Sequence, residues 1–472
     1  MSAADGVLAP ATRQAIRVKH FVRGALVTGD AVRHTSRDLG VDFTTPAIDL
    51  DALIAPRSEM PPLFDTKLAD IVDFLVETGA RLDLDRNPYL QESLEFVAAT
   101  NPLPRRIVES LFRRARQFLT RDALMASMHA NFPDLRCFDE WVERTDAHGQ
   151  SAALRAFPPR LIHMLAGNSP ASCISSIAQG AMLKAVNVFK MPSSDPFSCV
   201  AVLRTMADID SGHPVVKSMS AVYWRGGDER IERTIYRPQY FNRIIAWGGG
   251  SAIDNVIRYL SPGLQLLSFD PKTSISMIGP EAFQSSAAIA QVAEAAAEDV
   301  TTFNQEACLA SRILFVEGAP GGVEEFCEKL QQRMGVDRPL ASAVAPLPPG
   351  ELREEIDMLK LMEGEAKVWG KFDGRGMVIL TGEPVEFHPT GKIANVVHVR
   401  KLEDAIRHVN VATQTVGIYP EATKVRLRDR LANAGAQRVV RLGSASKHVG
   451  GAPHDAMFPL QRLVHWMSQE NA

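Results

Sequence analysis

From Arg160 onward the sequence alternates short apolar segments with helical ones, and this order limits the possible folds more than any other feature of the chain. Residues 161–166 and 185–190 are apolar enough for buried strands, and residues 170–183 between them have the pattern of a helix. A strand, a helix and a second strand in this order form a right-handed crossover in a mostly parallel sheet. The turn at residues 167–170 is therefore predicted at the carboxyl edge of that sheet, where such folds bind ligands.

A second unit of the same kind begins with a predicted strand at residues 243–247, and a predicted helix follows at residues 252–260. The turn between them consists of small residues: Gly248, Gly249, Gly250 and Ser251. Glycines let the backbone approach a ligand closely, and a helix N-terminus presents free N–H groups to a phosphate. The turn is therefore a candidate for binding a cofactor phosphate. Its spacing is not the dinucleotide fingerprint Gly-x-Gly-x-x-Gly, and a plain tight turn is the alternative.

The length of 472 residues exceeds what one hydrophobic core usually supports, so two or more domains are expected. A hydrophobic content of 46% and a charged content of 23% are ordinary for a globular protein. The first 150 residues or so have the pattern of helices joined by loops, as at residues 66–77 and 104–120.

Charge and cysteine usage exclude several classes of function. A formal net charge of −3 gives no overall basic surface for nucleic acid or an anionic membrane. The five cysteines are widely spread and include no Cys-x-x-Cys pair, which predicts reduced thiols and no metal site. No apolar run reaches the length of a membrane span, and the N-terminus lacks a secretory signal. We expect a soluble cytoplasmic protein.

Cys308 lies in a predicted loop between a helix and a strand. Residues 285–300 begin with hydroxyl residues that can cap a helix and continue with strong helix formers, and residues 313–318 are apolar up to a glycine. Loops held by rigid elements are where catalytic groups tend to lie. Cys308 is therefore a candidate nucleophile for a carbonyl carbon, and an inert, buried cysteine is the competing interpretation.

The segment around this cysteine, Phe-Asn-Gln-Glu-Ala-Cys-Leu-Ala-Ser-Arg at residues 303–312, resembles the nucleophile motif of the aldehyde dehydrogenase superfamily. Residues 160–465 more closely resemble its acyl-CoA reductase branch, the family of the fatty acyl-CoA reductase of bacterial bioluminescence. The resemblance implies an α/β, aldehyde dehydrogenase-like fold with two Rossmann-like parallel-sheet domains and a largely helical N-terminal region. It also implies that Cys308 is the nucleophile and that Asn168 donates its side-chain amide to the oxyanion.

The same resemblance identifies residues for a nicotinamide cofactor. Lys190 matches a lysine that contacts the adenosine ribose. Three residues later, members that prefer NAD often have a glutamate, whereas this chain has Ser193. A neutral hydroxyl does not repel the extra phosphate of NADP, so the resemblance favours NADPH and leaves NADH possible. Glu386 is a candidate contact for the nicotinamide ribose, and His454 is a candidate polar group near the thioester.

One departure from the oxidising members bears on the reaction. Where they carry a glutamate that activates water, this chain has Ser268, with Asp270 two residues later. A serine is a poor general base near neutral pH, so hydrolysis of an acyl-cysteine loses its catalyst. The resemblance therefore implies reduction of an acyl thioester to the aldehyde.

The expected organisation has a helical region at residues 1–150, a cofactor domain at 151–272, a catalytic domain at 273–440 and a closing segment at 441–472. The expected substrate is a thioester of CoA or of an acyl carrier protein, in which a fatty acyl group is attached to a phosphopantetheine thiol. The family also implies a homo-oligomer. An aldehyde-oxidising enzyme, in which Asp270 or Glu386 replaces the lost base, and a non-catalytic carrier or partner-binding protein on this fold are the alternatives.

Overall fold

The computed structural model describes residues 16–170, 172–362 and 364–470 of the chain. Within these residues the strands are, in chain order, β1 Ile16–Arg17, β2 His20–Val22, β3 Ala25–Val27, β4 Val32–Thr35, β5 Asp42–Thr45, β6 Val142–Thr145, β7 Ser151–Phe157, β8 Arg160–Met164, β9 Val186–Lys190, β10 Met219–Val222, β11 Arg243–Trp247, β12 Gln265–Phe269, β13 Thr273–Ile278, β14 Ser311–Glu317, β15 Ala366–Trp369, β16 Met377–Thr381, β17 Ile393–Val399, β18 Thr413–Tyr419, β19 Arg438–Arg441 and β20 His465–Glu470.

The α-helices of the described residues alternate with these strands over most of the chain. They are α1 Leu50–Leu53, α2 Leu68–Arg81, α3 Pro88–Thr100, α4 Arg105–Arg114, α5 Arg121–Asn131, α6 Cys173–Met182, α7 Ser198–Asp210, α8 Pro214–Lys217, α9 Glu229–Ile235, α10 Gly250–Ile257, α11 Ser286–Thr301, α12 Pro320–Met334, α13 Gly350–Leu361, α14 Glu421–Ala434 and α15 Pro459–Leu463. No helix in the described part of the chain is both long and apolar enough to cross a membrane.

The first large sheet has the order β12-β11-β8-β9-β10-β2-β3. Strands β8, β9 and β10 are parallel neighbours, and β11 returns to the other side of β8, so the strand order reverses between β8 and β11. Open sheets of this kind bind ligands in the crevice at the carboxyl ends of the strands where the order reverses. The predicted crossover from β8 through α6 to β9 is confirmed.

The second large sheet has the order β15-β16-β17-β14-β13-β18-β19 and is parallel apart from the edge strand β15. The chain passes from the first sheet to the second between β12 and β13. The two parallel sheets confirm the predicted α/β fold. A smaller sheet joins β20, near the end of the chain, to β7 and β6.

The prediction that the N-terminal region is mostly helical is correct for α2 to α5 and wrong for residues 16–45, which form β1 to β5. These strands are two to four residues long, too short for an alternating pattern to identify them. Tertiary pairing stabilises them, since β2 adds to β10 with Ala221 opposite Phe21. The helix predicted at 104–120 also ends early, and a 3₁₀ turn continues it at Ala115–Leu119.

A close approach of α6 to β9 fixes the first crossover. His163 Nε2 lies 3.0 Å from Asn187 Oδ1, and Asn187 Nδ2 donates to the carbonyl of Ala185 at 2.8 Å. Burial lowers the pKa of His163 to about 4, so the ring is neutral in the core. Gly180 of α6 faces this pair, and a Cβ at its position would lie 2.2 Å from Asn187 Oδ1.

Gly180→Ala is expected to lower the free energy of unfolding by about 1–3 kcal/mol, because Asn187 must move away from buried partners. Chemical denaturation monitored by circular dichroism measures the change. The matched control is Gly321→Ala in α12, where the added Cβ has open space and stability should stay equal or rise slightly. Equal stability of the two variants would contradict the close contact.

Candidate active site

A sharp reversal of the backbone places Cys308 at the start of the second sheet. Helix α11 begins after Ser285, whose hydroxyl accepts from the N–H of Ala288 as predicted, and ends at Thr301. Phe303, Asn304 and Gln305 then have φ values of 54°, 51° and 74°, in the left-handed region that side-chain-bearing residues rarely adopt. Three such residues in a row persist only where the surroundings hold them.

Gln305 holds this reversal through its side chain. Its Nε2 donates to the carbonyl of Ile393 at 2.7 Å and to that of Ser311 at 3.2 Å, while its Oε1 accepts from the N–H of Ile393 at 3.0 Å. Asn304 makes a similar two-way pair with Ser342, through bonds of 2.8 and 3.0 Å. Both amides are buried, so the segment before Cys308 is fixed to β17 and to the loop at Ser342.

Residues 302–310, between α11 and β14, carry Cys308 and are called the nucleophile loop below. Arg312 connects this loop to the segment that contains Glu386. Its guanidinium donates to the carbonyl of Gln305 at 2.7 Å and also to the carbonyl of Pro389. Glu386 itself is exposed, three residues before Pro389. The structure therefore fixes this segment near the nucleophile loop, and the role of Glu386 at a nicotinamide ribose stays a prediction.

Asn168 lies beside the loop that carries Cys308. Asn168 follows β8 of the first sheet, whereas that loop leads into β14 of the second. Its Nδ2 donates to the carbonyl of Glu306 at 3.1 Å, two residues before Cys308. A side-chain amide has two N–H hydrogens, so one remains for an oxyanion. Asn168 thus contacts the loop of the candidate nucleophile, and its oxyanion role stays a prediction.

Cys308 opens into a cavity of about 740 Å³. It is the one cysteine of the chain that is not buried. Desolvation raises the pKa of its thiol, a hydrogen bond from Gln414 lowers it, and the nearby carboxylate of Asp455 raises it, with a raised pKa as the net result. The resting thiol is therefore mostly protonated near neutral pH.

The wall of the cavity beside Cys308 belongs partly to β18 and to the closing segment. Gln414 Nε2 donates to Asp455 Oδ1 at 3.1 Å, and His454 Nδ1 lies 3.2 Å from the same oxygen. The ring of His454 packs edge-on against Trp247 and Phe269, each at a centroid distance of 5.2 Å. The predicted nearness of His454 to the thioester site is consistent with this cavity, which His454 lines together with Cys308.

The carboxyl edge of the first sheet carries the candidate cofactor residues. Helix α10 begins at Gly250, two residues earlier than predicted, so Gly250 and Ser251 form its first turn and Gly249 precedes it. A Cβ at Gly249 or Gly250 would meet no atom within 4 Å. The exposed N-terminus of the helix and the open space above it fit a phosphate.

Lys190 and Ser193 lie at the end of β9, on the same edge of the sheet. Lys190 Nζ lies 5.3 Å from the centroid of the Trp224 ring, and burial lowers the pKa of its ammonium to about 8. Ser193 Oγ accepts from the backbone N–H of Arg37 at 3.3 Å. The Arg37 guanidinium itself is exposed and pairs with Asp38 at 2.7 Å. The contact joins residues 156 positions apart, too far for the sequence to reveal it, and the role of Ser193 toward NADP stays a prediction.

Ser268 and Asp270 lie at the end of β12 and just beyond it. The resemblance matches Ser268 to the glutamate that activates water in oxidising members. Ser268 is half-buried next to Phe269, whose ring stacks on Trp247 at 3.7 Å, and Asp270 is exposed beyond the strand. The side chain at the matched position is thus a neutral hydroxyl. Among the described residues, no cluster of three or more His, Cys, Asp or Glu side chains could hold a metal ion.

The family model described as acyl-CoA reductase (LuxC) matches residues 63–466 of this chain. The chain belongs to the LuxC acyl-CoA reductase family. Relatives of this LuxC-family chain are named long-chain acyl-protein thioester reductase. The one from Vibrio harveyi is 26% identical over 94% of this chain and 92% of its own length. The one from Photorhabdus laumondii is 32% identical over 70% of this chain and 67% of its own length.

Solved structures similar to this LuxC-family chain are aldehyde dehydrogenases and show the fold. NADP-dependent glyceraldehyde-3-phosphate dehydrogenase from Bacillus halodurans, complexed with NADP, has a TM-score of 0.73 and 13% identity, covering 97% of this chain and 99% of that one. Aldehyde dehydrogenase 21 from Physcomitrella patens has a TM-score of 0.74 and 12% identity over the same shares. The predicted family and fold are confirmed.

Gln305→Leu is expected to lower the free energy of unfolding by about 2–4 kcal/mol, because it leaves the buried N–H and carbonyl of Ile393 without partners. Chemical denaturation measures this loss, and alkylation by iodoacetamide reports whether Cys308 is still presented to the cavity. Gln332→Leu, at an exposed glutamine that bonds Glu328, is the control and should change stability by less than about 0.5 kcal/mol. Equal losses would show that Gln305 does not hold the loop.

Proposed function

We propose that this protein reduces a fatty acyl thioester to the aldehyde with NADPH, through an acyl group carried covalently on Cys308. The observation that carries the proposal is the position of Cys308, which lines a large cavity and lies in a loop that Asn168 contacts at Glu306. Membership of the LuxC family, whose relatives are named long-chain acyl-protein thioester reductase, supports the reaction class.

The reaction begins when the Cys308 thiolate attacks the carbonyl carbon of the thioester. The free N–H of the Asn168 amide and the backbone N–H of Cys308 stabilise the oxyanion, and its collapse expels the donor thiolate and leaves acyl-Cys308. When bound, the cofactor supplies a hydride to the acyl carbon. Cys308 then departs as the thiolate from the resulting thiohemiacetal, and the aldehyde is released.

Reduction rather than hydrolysis is favoured by the end of β12. A water that attacks acyl-Cys308 needs a base to accept its proton, and Ser268 is neutral and barely basic near pH 7. Phe269 and Trp247 stack beside it and present apolar rings rather than carboxylates. The acyl-enzyme therefore survives long enough to accept the hydride.

The lining of the cavity suits a long acyl chain on a phosphate-bearing donor. Apolar side chains come from α5, α6 and α15, among them Leu124, Met128, Met182 and Leu460. The charged and titratable lining is mainly basic, with Asp455 as its one acid among Lys424, Arg438, Arg441, Lys447, His448 and His454. Positive charge at the lining attracts the phosphate of CoA or of a carrier protein's phosphopantetheine arm.

The cofactor preference rests on Ser193 and its neighbours. In this proposal Lys190, at the end of β9, donates to the adenosine ribose, and the turn at Gly249 and Gly250 receives the pyrophosphate. The neutral hydroxyl of Ser193 has no charge to repel a 2′-phosphate. These features favour NADPH over NADH.

Incubation with a long-chain acyl-CoA without reductant is expected to add one acyl mass to the protein, measured by intact mass spectrometry. The adduct should disappear in Cys308→Ala and should be released as aldehyde when NADPH is added. Cys327→Ala, at a buried cysteine of α12, is the control and should retain the adduct. An adduct that persists in Cys308→Ala, or that yields free acid in place of aldehyde, would refute the proposal.

Ser193→Glu is expected to lower the ratio of kcat/KM for NADPH to that for NADH by more than about tenfold, because the carboxylate repels the 2′-phosphate. Initial rates with the two cofactors measure the ratio. Ser211→Glu adds the same charge to an exposed position at the end of α7 and should leave the ratio unchanged. An unchanged ratio in Ser193→Glu would mean that the 2′-phosphate binds elsewhere.

A further inference from the structure

Gln414 connects the nucleophile to the closing segment. It is a buried residue of β18, and its side chain contacts two groups at once. Nε2 donates to Asp455 Oδ1 at 3.1 Å, and the side chain also hydrogen-bonds the Cys308 thiol. All three residues line the same cavity. The sequence did not reveal this pair, because Gln414 belongs to no motif and Asp455 lies 41 residues away in the closing segment.

Asp455 determines which end of the Gln414 amide faces Cys308. A carboxylate accepts hydrogen bonds and donates none, so it binds the NH₂ end of the amide and excludes the carbonyl end. That NH₂ group has a second hydrogen, which is then available to the sulfur. The opposite orientation would direct a carbonyl oxygen at the sulfur and disfavour its anion. Asp455 thus selects the orientation that stabilises a thiolate.

The turn that carries Asp455 is itself constrained. Asp455 and Ala456 have φ values of 46° and 60°, and His454 and Met457 close the turn with two backbone bonds of 2.9 and 3.1 Å. Two consecutive left-handed residues with side chains are costly, and such strain is found where a side chain must be aimed. Here it aims the Asp455 carboxylate at Gln414.

We propose that Gln414 is the hydrogen-bond donor that stabilises the Cys308 thiolate and that Asp455 is the positioning residue that orients the Gln414 amide. The proposal deepens the function proposed above, and it rests on that function for the role of the thiolate. It supplies an activating group that the sequence did not reveal, since helix α11 directs its C-terminal end toward Cys308 and a helix C-terminus does not stabilise an anion.

The charged groups around Cys308 and Asp455 have opposite effects on the pKa values of these two residues. Asp455 raises the pKa of the Cys308 thiol, and Arg312 lies near enough for the two to interact. Burial opposes the ionisation of Asp455, but His454, Gln414 and Lys272 outweigh it and lower its pKa. His448 faces His454 from the same segment. Asp455 therefore has two opposite effects on Cys308, a direct repulsion and an orientation of Gln414 that favours the anion.

The test must separate these two effects of Asp455 on the Cys308 thiol. The rate of Cys308 alkylation by iodoacetamide, measured against pH without donor or cofactor, reports the thiol pKa directly. Gln414→Met removes the donor at similar volume and should raise the alkylation midpoint by about one pH unit. Asp455→Asn tolerates the left-handed backbone, but it removes the charge and, because an amide also donates, no longer selects the NH₂ end of Gln414. The rise in midpoint caused by Gln414→Met should therefore be smaller in the Asp455→Asn background than in the parent protein.

Gln437→Met is the matched control, because Gln437 lines the same cavity but donates to the carbonyl of Val411. Its midpoint should equal that of the parent protein. A general loosening of the cavity would give Gln414→Met the same shift in either background, whereas the proposal requires that shift to depend on Asp455. An unchanged midpoint in Gln414→Met, or a shift of equal size in both backgrounds, would overturn it.

The alkylation test separates this inference from the proposed function. The other four cysteines are buried, and the Cys308→Ala variant measures any contribution from them, which is subtracted. A midpoint that Gln414→Met raises, and raises less in the Asp455→Asn background, would uphold the donor role of Gln414 even in a protein that forms no aldehyde, a result that would refute the reductase. If Gln414→Met fails to fold, Gln414→Asn, which shortens the side chain and withdraws the amide from the sulfur, takes its place in the same comparison.

Discussion

The pairing of the Gln305 amide with both polar groups of the Ile393 backbone is the interaction on which the site depends. Parallel strands need a chain reversal after α11, and this one is made in three residues with positive φ and no glycine. Such a reversal is intrinsically unfavourable, so its energy must come from contacts elsewhere. Gln305, which lies in the reversal itself, supplies these contacts, because its side-chain amide bonds both the N–H and the carbonyl of Ile393. The loop that carries Cys308 is thereby fixed to β17.

Helix α11 then aligns the two sides of the cavity. Its C-terminal end leads into the reversal, and Asp299 in its last turn accepts from the N–H groups of Gly443 and Ala445 at 2.8 and 2.9 Å. Burial raises the pKa of Asp299 to about 7, so these two bonds are what keep a charged form accessible there. The nucleophile loop and the start of the closing segment are therefore anchored to one rigid element, and their separation is fixed by a helix rather than by loops.

The sequence identified the elements of regular pattern and the residues that belong to a motif. The crossover around α6, the strand β11 and the cap at Ser285 follow from hydrophobic spacing and side-chain chemistry. Strands β1 to β5 were missed because pairing, and not their own sequence, stabilises them: β2 pairs with β10, β3 with β2, and β1 and β4 with β5. The contact of Arg37 with Ser193 and that of Gln414 with Asp455 were missed for a related reason, since they join residues 156 and 41 positions apart.

A desolvated thiol that is mostly protonated at rest fits the proposed reaction, in which water must be kept from the acyl intermediate. The desolvation that raises the pKa of Cys308 is the same exclusion of water that, with Ser268 in place of a base, would protect acyl-Cys308 from hydrolysis. A positively charged neighbour would activate the thiol more strongly, but it would also hold water in the cavity. A neutral amide donor, the role proposed for Gln414, stabilises the anion without bringing a hydrated charge. In the proposed reaction the surroundings of Cys308 thus balance reactivity of the thiol against lifetime of the acyl group.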